Sequence, residues 1–328
     1  MRNAAGLQTR GVFRPALPSV VERGSFPVKH RPKHVAEYVA LRGIDALVNA
    51  LPYRAALALG WGMAWMGFHL VRWRVAEAES RIRQVLGPGP SRREIRRVAW
   101  RAFRGFMFCV VDTLRVPRMT PAWVRRHIDV SEVPRFLESA AGGGAVIVTP
   151  HLGSWEMAGV ATHMLSVPLF YIVGHQKNPL TDAHANRRRG RTGIETIPRD
   201  GPALRKTLKN LKDGRMLAFM TDLRSKTPGV KATFLGHEAN LVAGMGMFAK
   251  MAGVPIIPTV AVRIGWTHHR IRVFDPIRPD PSLDRDADIA RMTQEVMNVF
   301  NRAILDAPDQ YFWFNKRWVL EPLEGPGG

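Results

Sequence analysis

The stretch GGGAVIVTPHLGSWEMAG, residues 142–159, decides the fold of this chain. Its apolar and partly β-branched run Ala145–Val148 lies between Gly144 and Pro150, which is typical of a buried strand. Ser154 follows shortly afterwards, and a serine hydroxyl is a common cap for the first amides of a helix. The stretch therefore predicts a strand, a short loop and a helix in close succession.

His151 and Glu156 lie on either side of that loop. Two residues five apart on one continuous helix point about 140° away from each other, so a shared helix would separate the imidazole from the carboxylate. A loop at Gly153 removes this obstacle, and Glu156 then falls in the first helical turn, where the helix dipole favours an anion. We therefore predict a general base, His151, with Glu156 as its orienting carboxylate, an arrangement that activates a hydroxyl nucleophile. For His151 alone, a structural role is the alternative.

The charge of the chain indicates an anionic partner. The 328 residues include 48 Lys and Arg against 27 Asp and Glu, a formal net charge of +21. Nucleic acid, an acidic membrane surface and an acidic carrier protein all fit such a charge, and composition does not choose among them. The single cysteine, Cys109, excludes an internal disulfide and a multi-cysteine metal site, and its apolar setting predicts an inert buried thiol.

Three regions are predicted along the chain: a basic flexible tail at 1–34, a helical membrane-associating region at 35–120, and an α/β catalytic domain at 121–328. The segment Ala55–Val71 has no formal charge and is flanked by arginines and aromatic residues. At seventeen residues it is at the short end of the roughly 17 to 25 needed to span a bilayer. Spanning, lying in the interface and packing as a core helix are the three alternatives, and its flanks favour a membrane anchor with the basic tail in the cytoplasm.

The basic and apolar residues of 91–114 alternate at helical spacing, which predicts an amphipathic helix against anionic lipid or with a solvated face. Beyond Thr120, strands and helices alternate, which predicts an α/β fold with a central, mostly parallel sheet flanked by helices. The predicted strands cover 145–149, 169–173, 194–197, 216–221, 230–234, 256–264 and 270–274. The predicted helices cover 155–165, 181–188, 203–211, 242–251 and 287–305. Functional sites in open α/β sheets gather at the carboxyl ends of strands, where this assignment places His151 and Asp222.

An ordered series of motifs resembles one family. The segments, in chain order, are HLGSWE at 151–156, NRRRGRTGIETI at 186–197, LKDGRMLAFMTD at 211–222, FLG at 234–236, GVPIIP at 253–258 and PDQYFWFNKRW at 308–318. Together they resemble the bacterial lipid A biosynthesis acyltransferases, the lauroyl and myristoyl transferases of the wider HxxxxD/E glycerolipid acyltransferase superfamily. The resemblance extends in order over residues 40 to 320.

The resemblance implies that a fatty acyl chain is transferred from acyl carrier protein or acyl-CoA to a lipid hydroxyl, without an acyl-enzyme and without a cofactor. The acceptor would be a lipid A precursor or a related glycolipid, with a lysophospholipid or a phosphatidylinositol glycolipid as alternatives. By the family's pattern His151 deprotonates the acceptor hydroxyl and Glu156 holds the imidazole. The other histidines are not spaced as a ligand set, so we predict no metal.

The family's arginine block matches Arg189, with Arg191 as second choice, and this match implies a contact with an electrophilic or phosphate oxygen of the substrate. Asp222 would be a further functional acid that orients Arg189 or the acceptor. A solvated basic surface and a turn cap are the structural alternatives for these residues. Three apolar residues, Met245, Met247 and Phe248, could line an acyl channel or pack in the core.

The resemblance further implies the cytoplasmic side of the cell inner membrane, with an anionic membrane surface as a partner. A nucleic-acid-binding protein is the alternative from another class, but it explains neither the apolar segment nor the histidine–carboxylate pair, so we expect no nucleic acid. An inactive, lipid-binding member of the family is a third alternative, and intact His151 and Glu156 argue against it.

Overall fold

The computed structural model describes residues 31–174, 176–199 and 203–321. Most of the predicted basic tail, residues 1–30, lies outside this part of the chain. The helices are α1 (Pro32–Ala50), α2 (Tyr53–Trp65), α3 (Val75–Leu86), α4 (Arg92–Arg115), α5 (Pro121–His127), α6 (Pro134–Ala140), α7 (Trp155–Met164), α8 (Pro179–Arg191), α9 (Ala203–Lys212), α10 (Gly244–Ala252) and α11 (Arg285–Asp306). The strands are β1 (Ile128–Asp129), β2 (Ala145–Thr149), β3 (Leu169–Val173), β4 (Glu195–Pro198), β5 (Met216–Met220), β6 (Val230–Phe234), β7 (His237–Leu241), β8 (Ile256–Arg263) and β9 (His269–Val273).

A seven-stranded sheet forms the centre of the molecule, in the order β1-β9-β8-β2-β5-β3-β4. Among its described pairings only β8 with β9 is antiparallel. The predicted α/β class with a mostly parallel sheet is therefore confirmed. The predicted strand 230–234 also forms, but it belongs to a separate antiparallel hairpin, β6–β7, and not to the central sheet.

Both faces of the sheet are covered, and successive residues of a strand contribute to opposite faces. Val146 and Val148 of β2 pack with α3, α4, α10 and α11, whereas Ala145 and Ile147 pack with α5, α6 and α7. This explains why β2 is an uninterrupted apolar run, since a strand buried on both faces has no solvent-facing side to make polar.

The N-terminal helices α1–α4 pack against the central sheet and its flanking helices. Residues of α3 and α4 share one apolar cluster with the sheet, and α1 contacts both α4 and α8. The division at residue 120 stays a prediction, but side-chain packing is continuous across it. The amphipathic helix predicted for 91–114 is confirmed as α4, and its capping box at Ser91 and Glu94 fixes its start.

The apolar segment Ala55–Val71 does not form one regular α-helix. It comprises most of α2 and a π-helical turn at Met66–Leu70, and α3 begins shortly afterwards at Val75. Within the residues that the structure describes, no helix has both the length and the apolar character that bilayer crossing requires. One side of α2 packs tightly on α4, where a Cβ at Gly60 would lie 2.9 Å from Val111 Cγ2.

Candidate active site

The loop between β2 and α7, residues 150–154, is held in place by neighbouring backbone. The Ser154 amide donates to the Ala261 carbonyl at 3.1 Å, and the Phe312 amide donates to the His151 carbonyl at 2.9 Å. Gly153 has φ +64°, and a Cβ there would lie 1.9 Å from the Ala261 oxygen, so only glycine fits. The predicted order of strand, loop and helix is confirmed, with Glu156 in the first turn of α7.

His151 is paired with Asp222. The imidazole Nδ1 lies 2.7 Å from Asp222 Oδ1, and the His151 backbone amide donates to Asp222 Oδ2 at 2.8 Å. The strand register explains the pairing: β2 and β5 are parallel neighbours in which Thr149 pairs with Met220, so residues 151 and 222 both lie two positions beyond a paired end. Both side chains are buried.

Asp222 is held in its ionised form. Burial alone would raise its pKa, but the attraction of His151 and the hydrogen bonds from His151 and Tyr311 outweigh burial, and the pKa is lowered below the ordinary value for aspartate. An ionised Asp222 at Nδ1 fixes the ring orientation and directs Nε2 away from the carboxylate. This is the arrangement that a general base requires.

Asp222, and not Glu156, therefore contacts the imidazole, which differs from the sequence-based assignment of the orienting carboxylate. Within the described part of the chain no hydrogen bond joins Glu156 to His151, because α7 directs Glu156 towards α8. There Arg189 Nε lies 3.7 Å from Glu156 Oε1, and both side chains are half-buried. The pairing in the structure therefore differs from the pairing that the sequence suggested. Asp222 is paired with His151, and Glu156 is paired with Arg189.

The two other arginines of α8 have different surroundings. Arg191 is exposed at the end of the helix and does not line the cavity described below. Arg188 is largely buried: it pairs with Asp45 of α1 and donates to the carbonyls of Thr113 and Leu114 at 2.7 and 2.8 Å. The sequence singled out the basic cluster but could not separate this structural arginine from Arg189, since helix periodicity alone does not tell which side α1 covers.

An apolar cavity of about 160 Å³ lies between α7 and the sheet, next to the loop that carries His151. Trp155 and Glu156 line it from the first turn of α7, Ala158 and Gly159 line it further along that helix, and Arg189 also borders it. The proposed channel residues Met245, Met247 and Phe248 do not line it, because α10 packs on the opposite face of the sheet. For Met245 the core-packing alternative is confirmed.

Asp112 is a buried acid that the sequence interpretation missed. Its carboxylate accepts from the Tyr53 hydroxyl at 2.7 Å and from the Ser154 hydroxyl at 2.6 Å, and it pairs with Arg263. Ser154 begins α7 without capping it through its side chain, because its hydroxyl is directed to Asp112. The available signal was an aspartate on the otherwise apolar side of α4.

Cys109 is buried, and burial raises the pKa of its thiol, as its apolar setting predicted. In the described ranges no three His, Cys, Asp or Glu side chains gather as a group that could hold a metal ion.

The structure thus combines a buried histidine–carboxylate pair at the carboxyl ends of parallel strands with an apolar cavity beside it. The chain belongs to the bacterial lipid A biosynthesis acyltransferase family, whose family model matches residues 29–319. It is an acyltransferase, and at the level of the family it acts on lipid A or a glycolipid.

Individual relatives are distant. The chain is 24% identical to the lipid A biosynthesis lauroyltransferase of Escherichia coli over 292 residues, 85% of this chain and 90% of that protein. It is also 24% identical to a phosphatidylinositol mannoside acyltransferase of Mycolicibacterium smegmatis over 217 residues, 64% of this chain and 68% of that protein. A phosphatidylinositol mannoside acyltransferase of Mycobacterium tuberculosis is 26% identical over 225 residues, 65% of this chain and 67% of that protein.

Proposed function

We propose that this enzyme transfers a fatty acyl group from an acyl thioester to a hydroxyl of a membrane glycolipid, with His151 as the general base. The observation that carries the proposal is the buried His151–Asp222 pair, with Nδ1 2.7 Å from the carboxylate, next to an apolar cavity. Asp222 occupies Nδ1, so Nε2 is the nitrogen that accepts a proton from the acceptor.

In the proposed step the acceptor hydroxyl gives its proton to His151 Nε2 as its oxygen attacks the thioester carbonyl. The tetrahedral intermediate then expels the thiolate, which takes the proton back from the imidazolium. Asp222 stabilises the positive charge on the ring between these two transfers. No side chain is acylated, which fits the burial and raised pKa of Cys109.

The apolar cavity supports the assignment of an acyl donor. A hydrocarbon chain inserted between α7 and the sheet would be desolvated, and this burial is favourable at about 0.8 kcal/mol for each methylene. The pair Glu156–Arg189 borders the cavity and would meet the polar end of the acyl group. We assign Arg189 the contact with a carbonyl or phosphate oxygen and leave Arg191 without a role in the site.

For the substrates, we propose acyl carrier protein or acyl-CoA as donor and a lipid A precursor or related glycolipid as acceptor. The formal net charge of +21 favours acidic partners, both an acidic carrier protein and the anionic cytoplasmic surface of the inner membrane. A phosphatidylinositol glycolipid is the second candidate acceptor, supported by the similarity to the mycobacterial enzymes.

Lipid mass spectrometry of a gene-deletion strain tests this function and identifies the acceptor. We expect a glycolipid of the deletion strain to lack one acyl chain, and we expect the wild-type gene, but not His151→Ala, to restore it. The mass and headgroup of the affected lipid distinguish a lipid A precursor from a phosphatidylinositol glycolipid. An unchanged lipid profile, or restoration by His151→Ala, would contradict the proposal.

A further inference from the structure

Three arginines converge on a pocket of about 240 Å³ beside the catalytic loop. Arg101 and Arg104 reach it from α4, and Arg263 reaches it from the end of β8. The backbone of Gly153 and Ser154 forms another wall. We refer to this site as the arginine pocket.

The positive charge of the arginine pocket is only partly neutralised. Arg263 is paired with Asp112, and Arg101 Nη1 lies 3.6 Å from Asp309 Oδ2 at a site where both side chains remain in contact with solvent. An ion pair that is exposed to solvent in this way contributes little stabilising free energy. Arg104 makes no ion pair with any residue that the structure describes.

Arg104 is a cation with an uncommitted donor. Its Nε is buried and has no hydrogen-bond partner among the described residues, and its guanidinium lies 5.8 Å from the centre of the Phe108 ring. Burial and the neighbouring charge of Arg101 lower its pKa. An unsatisfied buried donor is costly, and an anion bound to the Arg104 guanidinium in the pocket would offset the repulsion from Arg101 and Arg263.

The position of the arginine pocket and the chemistry of its arginines together favour a phosphate ester as the bound anion. Gly153 and Ser154, at the end of the loop that carries His151, border the arginine pocket, while Trp155 and Glu156, in the first turn of α7, border the apolar cavity. An acyl chain and an anion could therefore bind at the same time on two sides of the loop that carries His151. Phosphate esters suit such a site because the planar guanidinium fork matches phosphate oxygens.

We propose that the arginine pocket binds a phosphate ester of one of the two substrates, with Arg104 as its principal contact. The identity of the substrates rests on the proposed function. The phosphate belongs either to the phosphopantetheine arm of the thioester donor or to the headgroup of the acceptor lipid, and both present the same chemistry to the pocket.

A first experiment tests the site without requiring activity. Sodium pyrophosphate is added to the purified wild-type chain, to Arg104→Gln and to Arg97→Gln, and thermal unfolding is recorded. Arg97 is an exposed arginine of the same helix that does not line the pocket, so its variant is a matched control for loss of one charge. We expect pyrophosphate to raise the melting temperature of wild type and Arg97→Gln but not of Arg104→Gln. No stabilisation of wild type, or equal stabilisation of all three, would overturn the proposal.

A second experiment identifies the source of the phosphate through the KM for each substrate. We expect Arg104→Gln to raise one KM about tenfold or more. This is the KM of the donor if the pocket holds phosphopantetheine, and that of the acceptor if the pocket holds the lipid headgroup.

Gly105→Leu is the second variant. A Cβ at Gly105 meets only the Asp309 carbonyl at 3.8 Å, so a larger side chain can fill the pocket while all three arginines remain. It should raise the same KM. Wild-type KM values for both substrates in Arg104→Gln would overturn the proposal. If the wild-type chain itself transfers no acyl group, that result would contradict the proposed function and not the assignment of the pocket.

Discussion

Asp222 combines complete burial with a negative charge, and its stabilising effect should depend on pH. Its pKa is lower in the folded chain than in the unfolded chain, so the stabilisation is present above the ordinary aspartate pKa and is lost as pH falls through the folded value. We expect Asp222→Asn to lower the free energy of unfolding by about 1–3 kcal/mol at pH 7, because the hydrogen bonds to His151 lose their charged acceptor. Urea unfolding of both proteins at pH 7 and at pH 3 measures the difference.

The pH dependence of the stability lost in Asp222→Asn distinguishes an electrostatic cause from a purely steric one. The deficit of Asp222→Asn should shrink as pH falls below about 4, where Asp222 becomes protonated in the unfolded wild-type chain while it is still ionised in the folded chain. A deficit that is equal at pH 7 and at pH 3 would show that the charge of Asp222 does not stabilise the fold.

Gly153 is a second position at which a single added atom, a Cβ, should disturb the site. Its backbone is in the left-handed region, and an added Cβ would lie 1.9 Å from the Ala261 carbonyl oxygen. We expect Gly153→Ala to displace the loop that carries His151, to cost about 1–3 kcal/mol of stability and to abolish most of the transfer activity. Gly62→Ala is the matched control, since nothing lies within 4 Å of a Cβ on that helical glycine. Activity near wild type in Gly153→Ala would contradict the role of this loop.

Part of this detail could be predicted from the sequence. His151, Glu156 and Asp222 were identified as candidate site residues, and the loop position of His151 followed from the bounding Gly153 and Pro150. The carboxylate that contacts the ring could not be predicted, because Glu156 is five residues away in sequence whereas Asp222 is brought close only by the pairing of β2 with β5.

Helices α7 and α8 meet through Glu156 and Arg189, and the pair should act as one unit. The two side chains are linked at 3.7 Å and both border the apolar cavity. We expect Glu156→Gln and Arg189→Gln each to lower kcat/KM, and the double variant to be scarcely worse than either single one, because the second substitution removes a group whose partner is already gone. Steady-state kinetics of the four proteins measures the coupling.

Arg191→Gln is the control for that cycle, because Arg191 belongs to the same helix but is exposed and does not border the cavity. It should keep wild-type kcat/KM. Strictly additive losses at Glu156 and Arg189, or an equal loss at Arg191, would contradict the pairing as a functional unit.

The elements with strong hydrophobic patterns were predicted well, and those without them were missed. Every predicted strand forms within one residue at each end, because apolar runs between Gly, Pro and Asp mark buried strands clearly. Strand β7, with the sequence HEANL, has only two apolar residues and belongs to a short hairpin, and it was not recognised. Strand β1 has only two residues, too few for any periodicity.

The N-terminal helices present an apolar surface that is not covered by the rest of the described chain. Trp61, Trp65, Leu70 and Val71 expose 40, 42, 65 and 71% of their area, and all four belong to α2 or to the turn that follows it, with Val71 as its C-cap. Arg72 follows directly. Contiguous exposed apolar side chains next to basic residues are typical of a surface that lies in a membrane interface.

Binding to vesicles tests this surface. We expect the double variant Trp61→Ser/Trp65→Ser to bind anionic phospholipid vesicles at least about tenfold more weakly than wild type, because each buried aromatic contributes about 1.5–3 kcal/mol. The control is Leu204→Ser/Leu305→Ser, two exposed leucines on α9 and α11. Equal binding by all three proteins in a sedimentation assay would exclude this surface as the membrane contact.

The order of the strands in the sheet could not be predicted from the sequence. Periodicity indicates that β2 is buried on both faces, but it does not indicate that β5 and β8 are its neighbours, since this depends on how all helices pack on the two faces at once. The position of Asp222 at His151 follows from that order, and the convergence of the three arginines depends on where α4 lies relative to the end of β8. For the same reason, the two features could be recognised only in three dimensions.

The rate of acyl transfer by purified His151→Gln tests the central claim most directly. Glutamine can keep a hydrogen bond to Asp222 but cannot accept the proton, and general base catalysis contributes typically 10²- to 10⁴-fold. His163→Gln is the control, a half-buried histidine of α7 whose Nδ1 lies 3.1 Å from the Val167 carbonyl oxygen. We predict that His151→Gln folds like wild type, with kcat reduced at least about a hundredfold, while His163→Gln keeps its rate. Transfer by folded His151→Gln at the wild-type rate would contradict the mechanism.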